Sequence, residues 1–230
     1  MKKSKNAAPL LPSYSILPLA AVLAVNFLTY NGTRLLTGGL LHHDFSLPID
    51  SALPFIPAFS VIYLLAYVQW VTGFIMAARE SREFCYKALS GEIIAELICL
   101  VIFLAVPTAI ERPEITSAGF FSAVTRFIYQ VDTPDNLFPS LHCLESWFCL
   151  RCSFKMKSTG RPYRCFSLIF SLLVFASTVF IKQHIVVDIF AGIIVCEAGL
   201  LIAEKADAGR VFEMLGSRLS QIKNKFGDHK

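Results

Sequence analysis

Three separate segments of the sequence carry residues that could do acid–base or nucleophilic chemistry. The first ends in Arg112-Pro113, the second contains Ser140 and His142, and the third contains Lys182, His184 and Asp188. All three lie at the borders of long apolar stretches. Charged and titratable groups at membrane depth are costly, so they indicate a functional site.

The third segment predicts a histidine nucleophile. Asp188 follows His184 by four residues, so the two share a face if this stretch is helical. A carboxylate bonded to one ring nitrogen fixes the tautomer and leaves the other nitrogen free to attack. His142, in the second segment, would then protonate the leaving oxygen.

The remaining polar residues predict an anion site. Ser140 is a good N-cap, and a helix that begins there presents free backbone N–H groups to an anion. Arg112 and Lys182 could neutralise the oxygens of a transferring phosphoryl group. We expect no carboxylate cluster near these residues, and therefore predict phosphoryl transfer without a metal or cofactor.

The elements that must position these residues are membrane helices. The chain is 55% hydrophobic and 17% charged, against about 45–50% and about 25% in soluble domains, so lipid must cover part of its surface. Long apolar stretches lie at 15–30, 54–76, 93–110, 138–150, 165–181 and 185–203. They predict an all-α, integral membrane bundle of six transmembrane helices over residues 15–203. A tail of residues 1–14 precedes this catalytic membrane domain, and a basic tail of residues 204–230 follows it.

The distribution of positive charge predicts the orientation of the bundle. With the N-terminus in the cytoplasm, four of the 21 Lys and Arg residues lie on the outer side: Arg34, Arg112, Arg126 and Lys182. Cytoplasmic loops carry the excess of positive charge in membrane proteins. We therefore expect a multi-pass cell-membrane protein with both termini in the cytoplasm and the three chemical segments outside. Residues 1–28 could also be a signal peptide, which would not change this orientation.

Two further segments have the spacing of amphipathic helices. Apolar residues recur at helical spacing between Phe120 and Val131, in the longest outer loop. They recur again between Val211 and Phe226, accompanied by basic residues. We expect the first helix on the outer membrane surface and the second on the inner leaflet, where anionic lipid would attract it. Binding to a partner protein is an alternative for the second helix.

The three segments, in their order, resemble the signature of the type-2 phosphatidic acid phosphatase superfamily. The motifs are Arg112-Pro113, then Pro139-Ser140-x-His142, then Ser177-x6-His184-x3-Asp188. Asp50-x3-Pro54-Phe55-x-Pro57 also looks like the start of the second span in many relatives, so the resemblance covers about residues 45–203.

This resemblance implies a role for each site residue. His184 would be the nucleophile that becomes phosphohistidine, Asp188 would orient it, and His142 would be the general acid. Arg112 and Ser140 would bind the phosphate. The implied partners are a lipid phosphate and the surrounding membrane lipids, with no nucleic acid.

Two departures from the family pattern remove cations from the predicted site. Relatives usually carry lysine where Ala105 stands and arginine where Thr178 stands. Lys182 lies one helical turn beyond Thr178 and is a candidate to replace one of them.

The expected reaction is hydrolysis of a lipid phosphomonoester or pyrophosphate, such as phosphatidic acid or a polyprenyl pyrophosphate. An alternative enzyme is a head-group transferase of the inositol-phosphorylceramide synthase type. Vanadium haloperoxidases share the signature, but they are soluble and use more cationic ligands. The non-enzyme alternatives are an inactive relative and a lipid-binding or transport protein. Glu145, one turn after His142, could support that histidine or pair two helices.

Overall fold

The computed structural model describes residues 10–227, without the side chains of residues 220 and 222–227. Its helices are α1 (Ile16–Phe27), α2 (Thr33–Thr37), α3 (Pro48–Ala52), α4 (Phe59–Glu80), α5 (Arg82–Ala105), α6 (Phe120–Val131), α7 (Leu141–Lys155), α8 (Arg161–Phe180), α9 (Val186–Lys205) and α10 (Arg210–Gly227). No strand occurs within the described range, so the all-α prediction is confirmed. The predicted tails extend to residues 1–9 and 228–230, which lie outside the described residues.

Five helical segments are long and apolar enough to cross a membrane. They are Ser13–Thr37, which joins α1 to α2 through a π turn, and helices α4, α5, α8 and α9. The fourth predicted span, 138–150, is α7, which has only 15 residues. At 1.5 Å per residue it is roughly 22 Å long, against about 30 Å for the hydrocarbon core. Five of the six predicted spans therefore correspond to helices that are long and apolar enough to cross a membrane.

Helix α7 lies inside the bundle, where it packs against α4, α8 and α9. Leu144 and Phe148 are completely buried on it, and buried polar residues accompany them. Because neighbouring helices cover α7, it does not need the uniformly apolar surface of a lipid-facing helix. This central position explains why α7 is less hydrophobic than the helices that face lipid.

Helices α5 and α9 approach each other closely through small residues. A Cβ added at Gly199 would lie 2.5 Å from the Gly91 carbonyl oxygen and 2.8 Å from the Ala95 Cβ. Small residues at such interfaces allow two membrane helices to pack backbone to backbone.

Both predicted amphipathic segments are helices. On α6 the polar Ser122 and Thr125 are buried against the protein, whereas Phe120 and Phe127 are exposed. This arrangement fits a helix that turns its aromatic side chains towards lipid. On α10, Phe212 packs against Tyr86 of α5. The predicted apolar positions 222 and 226 lie among the side chains that the structure does not describe.

The loops that carry the three chemical segments meet at one end of the bundle. The His43 N–H donates to the Pro107 carbonyl at 2.8 Å. Thr108 Oγ1 accepts the N–H groups of Leu137 and Phe138 at 3.0 and 3.1 Å. These bonds tie the first and second segments together beside the N-terminus of α7.

Candidate active site

His184 lies in the short connection between α8 and α9. Its Nδ1 is 3.1 Å from the Leu137 carbonyl oxygen and 3.2 Å from Asp188 Oδ2. A carbonyl oxygen can only accept, so Nδ1 carries the proton and a neutral ring has its lone pair on Nε2. No hydrogen bond to Nε2 occurs within residues 10–227. The ring therefore has the tautomer that a histidine nucleophile requires.

His184 and Asp188 are in contact as predicted, but the reason for the contact is not the shared helical face that the sequence suggested. Helix α9 begins at Val186, so the two residues do not share one helical face. Asp188 Oδ2 also accepts the Ile185 N–H at 3.1 Å, which caps the first turn of α9. Asp188, which is fully buried, thus fixes both the helix start and the histidine that precedes it.

Asp50 supports the same loop from the short helix α3. Its Oδ1 accepts the Val186 N–H at 2.8 Å, and its Oδ2 accepts the Leu47 N–H at 2.8 Å. The carboxylate therefore holds α3 against the N-terminus of α9, where a negative group is also favoured by the helix dipole. Asp50 belongs to the segment that resembles the start of the second span in relatives, but its supporting role is evident only from these two hydrogen bonds.

Lys182 is attached to α3. Its ammonium donates to the carbonyl oxygens of Asp50 and Leu53, both at 2.7 Å. Its φ is +54°, so α8 has already ended and Lys182 does not continue the face of Thr178. The one-turn argument from the sequence was therefore wrong, because the chain leaves the helix at Ile181.

The predicted N-cap of α7 is present. Ser140 Oγ accepts the Cys143 N–H at 3.3 Å, and α7 begins at Leu141. The Ser140 N–H donates to the Asp188 carbonyl oxygen at 3.1 Å. Ser140 is completely buried, so its observed contacts fix the start of α7 against α9.

Glycine at position 192 allows this close approach. A Cβ added at Gly192 of α9 would lie 2.6 Å from the Ser140 carbonyl oxygen and 3.2 Å from the Leu144 nitrogen. Both neighbours are backbone atoms of the α7 N-terminus and cannot rotate away. Gly192 therefore sets the distance between α9, which follows His184, and α7, which contains His142.

His142 is enclosed by aromatic residues of α4. The Tyr63 ring stacks on it with centroids 4.0 Å apart, and Trp70 and Tyr67 meet it with their edges at 4.9 and 5.8 Å. Only 9% of His142 is exposed. Its ring centroid lies 6.1 Å from that of His184. The aromatic rings therefore hold His142 in a fixed place beside His184.

Asp132 is a site residue that the sequence analysis missed. It accepts hydrogen bonds from the Tyr30 hydroxyl, from the Tyr63 hydroxyl at 2.5 Å and from Gln183 Nε2 at 3.0 Å. Burial alone would raise the pKa of Asp132, but His142 and the two tyrosine hydrogen bonds lower it below its ordinary value. The ionised carboxylate can stabilise positive charge on His142. Its place at the end of an amphipathic segment was the only sequence signal.

Arg112 stands beside the histidines. Its Nη1 donates to the Tyr129 carbonyl oxygen at 3.3 Å, and its Cζ lies 4.6 Å from the Tyr129 ring centroid. Burial lowers the pKa of the guanidinium, and the nearby Asp132 carboxylate opposes this effect. The site therefore retains a cation of the type that binds phosphate.

Two cavities meet at this place. One, of about 320 Å³, is lined by Arg112, Asp132, His142 and His184 among others. The second, of about 460 Å³ and more open, is lined by Lys182 and again by Arg112 and His184. Arg112, His142 and His184 thus line one cavity, Lys182 lines its neighbour, and Ser140 and Asp188 line neither.

The structure also corrects the expectation that no carboxylate cluster lies near the site. Glu92, Glu96 and Glu145 converge inside the bundle, and Glu145 lines the same cavity as His142. Glu92 and Glu96 are four residues apart in an apolar span, a signal that could have been found in the sequence. Glu145 therefore belongs to a set of acidic residues from two helices.

Comparison with known proteins gives a family. No protein of known, curated function matches the chain. A family model described as the PAP2 superfamily matches residues 40–202, which is more than half of the chain and includes all three chemical segments. The matched range therefore contains the residues that form the site: Arg112, His142, His184 and Asp188. The chain belongs to the PAP2 superfamily.

Proposed function

We propose that this protein is a membrane lipid phosphatase that hydrolyses a lipid phosphomonoester or pyrophosphate through a phosphohistidine on His184. The observation that carries the proposal is the tautomer of the His184 ring, which leaves Nε2 free to attack. Its Nδ1 is held by acceptors, and the residue lies where two cavities meet, beside Arg112. Superfamily membership supports phosphatase-type chemistry.

In the first step the Nε2 lone pair of His184 attacks phosphorus, and the bond from phosphorus to the leaving oxygen breaks. His142 gives a proton to that oxygen, so the lipid alcohol or lipid phosphate leaves in protonated form. Asp188 stabilises the positive charge that grows on the His184 ring. Arg112 faces the negative charge of the transferring group.

In the second step water attacks the phosphorus of the phosphohistidine. His142, now neutral, removes a proton from this water, and the N–P bond breaks with its electron pair returning to Nε2. Inorganic phosphate leaves, and both histidines return to their starting states. Burial disfavours the protonated form of His142 that begins each cycle, and ionised Asp132 opposes this effect.

We further propose that α7 is a sixth crossing element and that the site opens on the extracytoplasmic side. The distribution of Lys and Arg supports cytoplasmic termini. The exposed aromatic side chains of α6, at the same end as the site, support contact with the outer membrane surface.

A second candidate is head-group transfer, in which another alcohol replaces water in the second step. The pair of cavities that share Arg112 and His184 favours it, because one could hold the donor lipid and the other the acceptor. The acid and base roles of His142 are the same for either acceptor.

Purified protein should be assayed for phosphate release from phosphatidic acid, phosphatidylglycerol phosphate and a polyprenyl pyrophosphate. We expect turnover of at least one, inhibition by orthovanadate and no turnover by His184→Ala. His43→Ala is the matched control, since His43 is an exposed histidine that lines neither cavity. Replacement of phosphate release by a new phosphodiester on addition of an alcohol would select the transferase. Equal turnover by wild type and His184→Ala would refute the phosphohistidine on His184, and no turnover by wild type would favour a lipid-binding or inactive relative.

A further inference from the structure

A group of three glutamates lies in the middle of the bundle, apart from the residues that handle phosphate. Glu92 and Glu96 are on α5 and Glu145 is on α7. One carboxylate oxygen from each residue lies within 4.8 Å of the others. Glu92 and Glu96 are fully buried, and Glu145 is 4% exposed.

Within residues 10–227, no donor from outside the glutamate group reaches Glu92, although it is fully buried and turned into this group. The side chain near its oxygens is the Glu145 carboxyl of the same group, and one oxygen each of Glu96 and Glu145 also has no donor from outside the group. Buried polar atoms in folded proteins almost always have a partner, so four oxygens without such a donor in one place need an explanation.

Asn26 orients two of the three carboxylates. Its Nδ2 donates to Glu96 Oε1 at 2.6 Å and to Glu145 Oε1 at 3.2 Å. The amide therefore occupies one oxygen of each and leaves the other free. Side chains that hold metal ligands in place act in this way.

No positive charge balances these carboxylates within the described residues. The ion pairs of this part of the chain involve other acids, among them Glu197 with Arg151 and Glu204 with Lys155. Burying negative charges at membrane depth is strongly unfavourable unless a cation or bound protons neutralise them. The protein must therefore supply one or the other to the glutamate group.

We propose that Glu92, Glu96 and Glu145 bind a divalent metal cation. Carboxylate oxygens are the preferred ligands of hard cations such as Mg²⁺, Ca²⁺ and Mn²⁺. Metal–oxygen bonds of about 2.0–2.6 Å place opposite ligand oxygens up to roughly 4–5 Å apart, which the observed separation of at most 4.8 Å satisfies. The ion enters through the 320 Å³ cavity, because Asn26 and Glu145 both line it.

This cation joins α5 to α7, the helix that carries His142 near its N-terminus. Its role is to hold the two helices together, and the phosphoryl transfer at His184 does not use it. The proposal is therefore independent of the proposed function, and its test does not depend on activity.

The test is metal binding by the full chain in detergent or nanodiscs. After treatment with chelator, the protein is titrated with Mn²⁺, followed by electron paramagnetic resonance, and its thermal unfolding is measured with and without Mn²⁺. We expect saturable, stoichiometric binding and a rise in melting temperature. Glu92→Gln should abolish both, and Asn26→Ala should weaken binding by about 10–100-fold, as expected for loss of an orienting partner. Glu197→Gln is the matched control, an acidic residue of a span that bonds Trp147 and Arg151 instead.

Two outcomes would overturn the proposal. The first is absence of saturable binding by the wild-type chain, which would indicate that the three glutamates share protons. The second is equal binding by wild type and Glu92→Gln, which would indicate adventitious surface sites. The wild-type titration alone decides the first outcome, so the test stands even if Glu92→Gln fails to fold.

Discussion

At the scale of single residues, Asp132 links the two histidine environments. It accepts from Tyr63, whose ring stacks on His142, and from Gln183, the residue before His184. Both oxygens of the carboxylate are used, one by Tyr30 and the other by Tyr63 and Gln183. A neutral side chain at this position could not accept all of these bonds.

We expect Asp132→Asn to lower turnover by about 10–100-fold. Loss of a hydrogen bond to a charged group costs about 1.5–3 kcal/mol, and 1.4 kcal/mol is a factor of ten in rate. The measurement is kcat with the best lipid substrate. Tyr63→Phe is the matched variant, since it removes one hydrogen bond and keeps the ring on His142. Unchanged kcat in Asp132→Asn would mean that the carboxylate has only a structural role.

Asp132 also predicts a pH dependence of stability. Its folded-state pKa is lower than the ordinary value, which is about 3.9. The ionised carboxylate therefore stabilises the fold above that pH, and the contribution is lost as pH falls through the lowered folded-state pKa. We expect the melting temperatures of wild type and Asp132→Asn to differ at neutral pH and to converge on strong acidification. A difference that grows on acidification would contradict this assignment.

At the scale of elements, the separation of α7 from α9 depends on Gly192. We expect Gly192→Ala to lower turnover because its new Cβ would meet backbone atoms of α7 and displace Ser140 and His142 from His184. Overpacking of this kind typically costs about 1–3 kcal/mol of stability. Gly39→Ala is the control, since a Cβ at Gly39 meets no atom within 4 Å. Equal activity and melting temperature of the two variants would show that the helices adjust without cost.

The attachment of α3 to the His184 loop gives another prediction. Lys182→Met removes two hydrogen bonds from a charged donor, each worth about 1.5–3 kcal/mol where buried. Because Lys182 is half-buried, we expect a total loss near the lower end of that range, measured by thermal unfolding. Turnover should fall with it, because α3 also caps α9 through Asp50. If Lys182 binds phosphate instead, orthovanadate inhibition would weaken while the melting temperature stays unchanged.

At the scale of the whole molecule, the helix ends define two faces. The site loops meet at one end, and the α4–α5, α7–α8 and α9–α10 connections lie at the other. In a cysteine-free background, we expect Ser117→Cys to react with an impermeant thiol reagent in intact cells. Ser158→Cys should not react until the membrane is opened. Both positions are exposed in the protein, so accessibility across the membrane decides the result. The opposite pattern would place the active site in the cytoplasm.

The sequence by itself determined the elements and the chemical residues. Hydropathy over about twenty residues and the order of the three motifs are local properties of the chain, so five spans and the family followed from them. The pairing of Asp188 with His184 was also predicted, although from a shared helical face that the structure does not have, since α9 begins after His184. The N-cap at Ser140 was predicted from the local sequence.

Only the tertiary structure decided what these residues meet. Lys182 contacts α3 rather than the Thr178 face, because the chain leaves α8 before it. Asp132 joins the site through partners far away in sequence, and the three glutamates meet only when α5 packs beside α7. The polar residues of α7 likewise have an explanation only in the folded bundle, where neighbouring helices cover this short helix. Such contacts depend on the packing of distant elements, which local periodicity and composition do not specify.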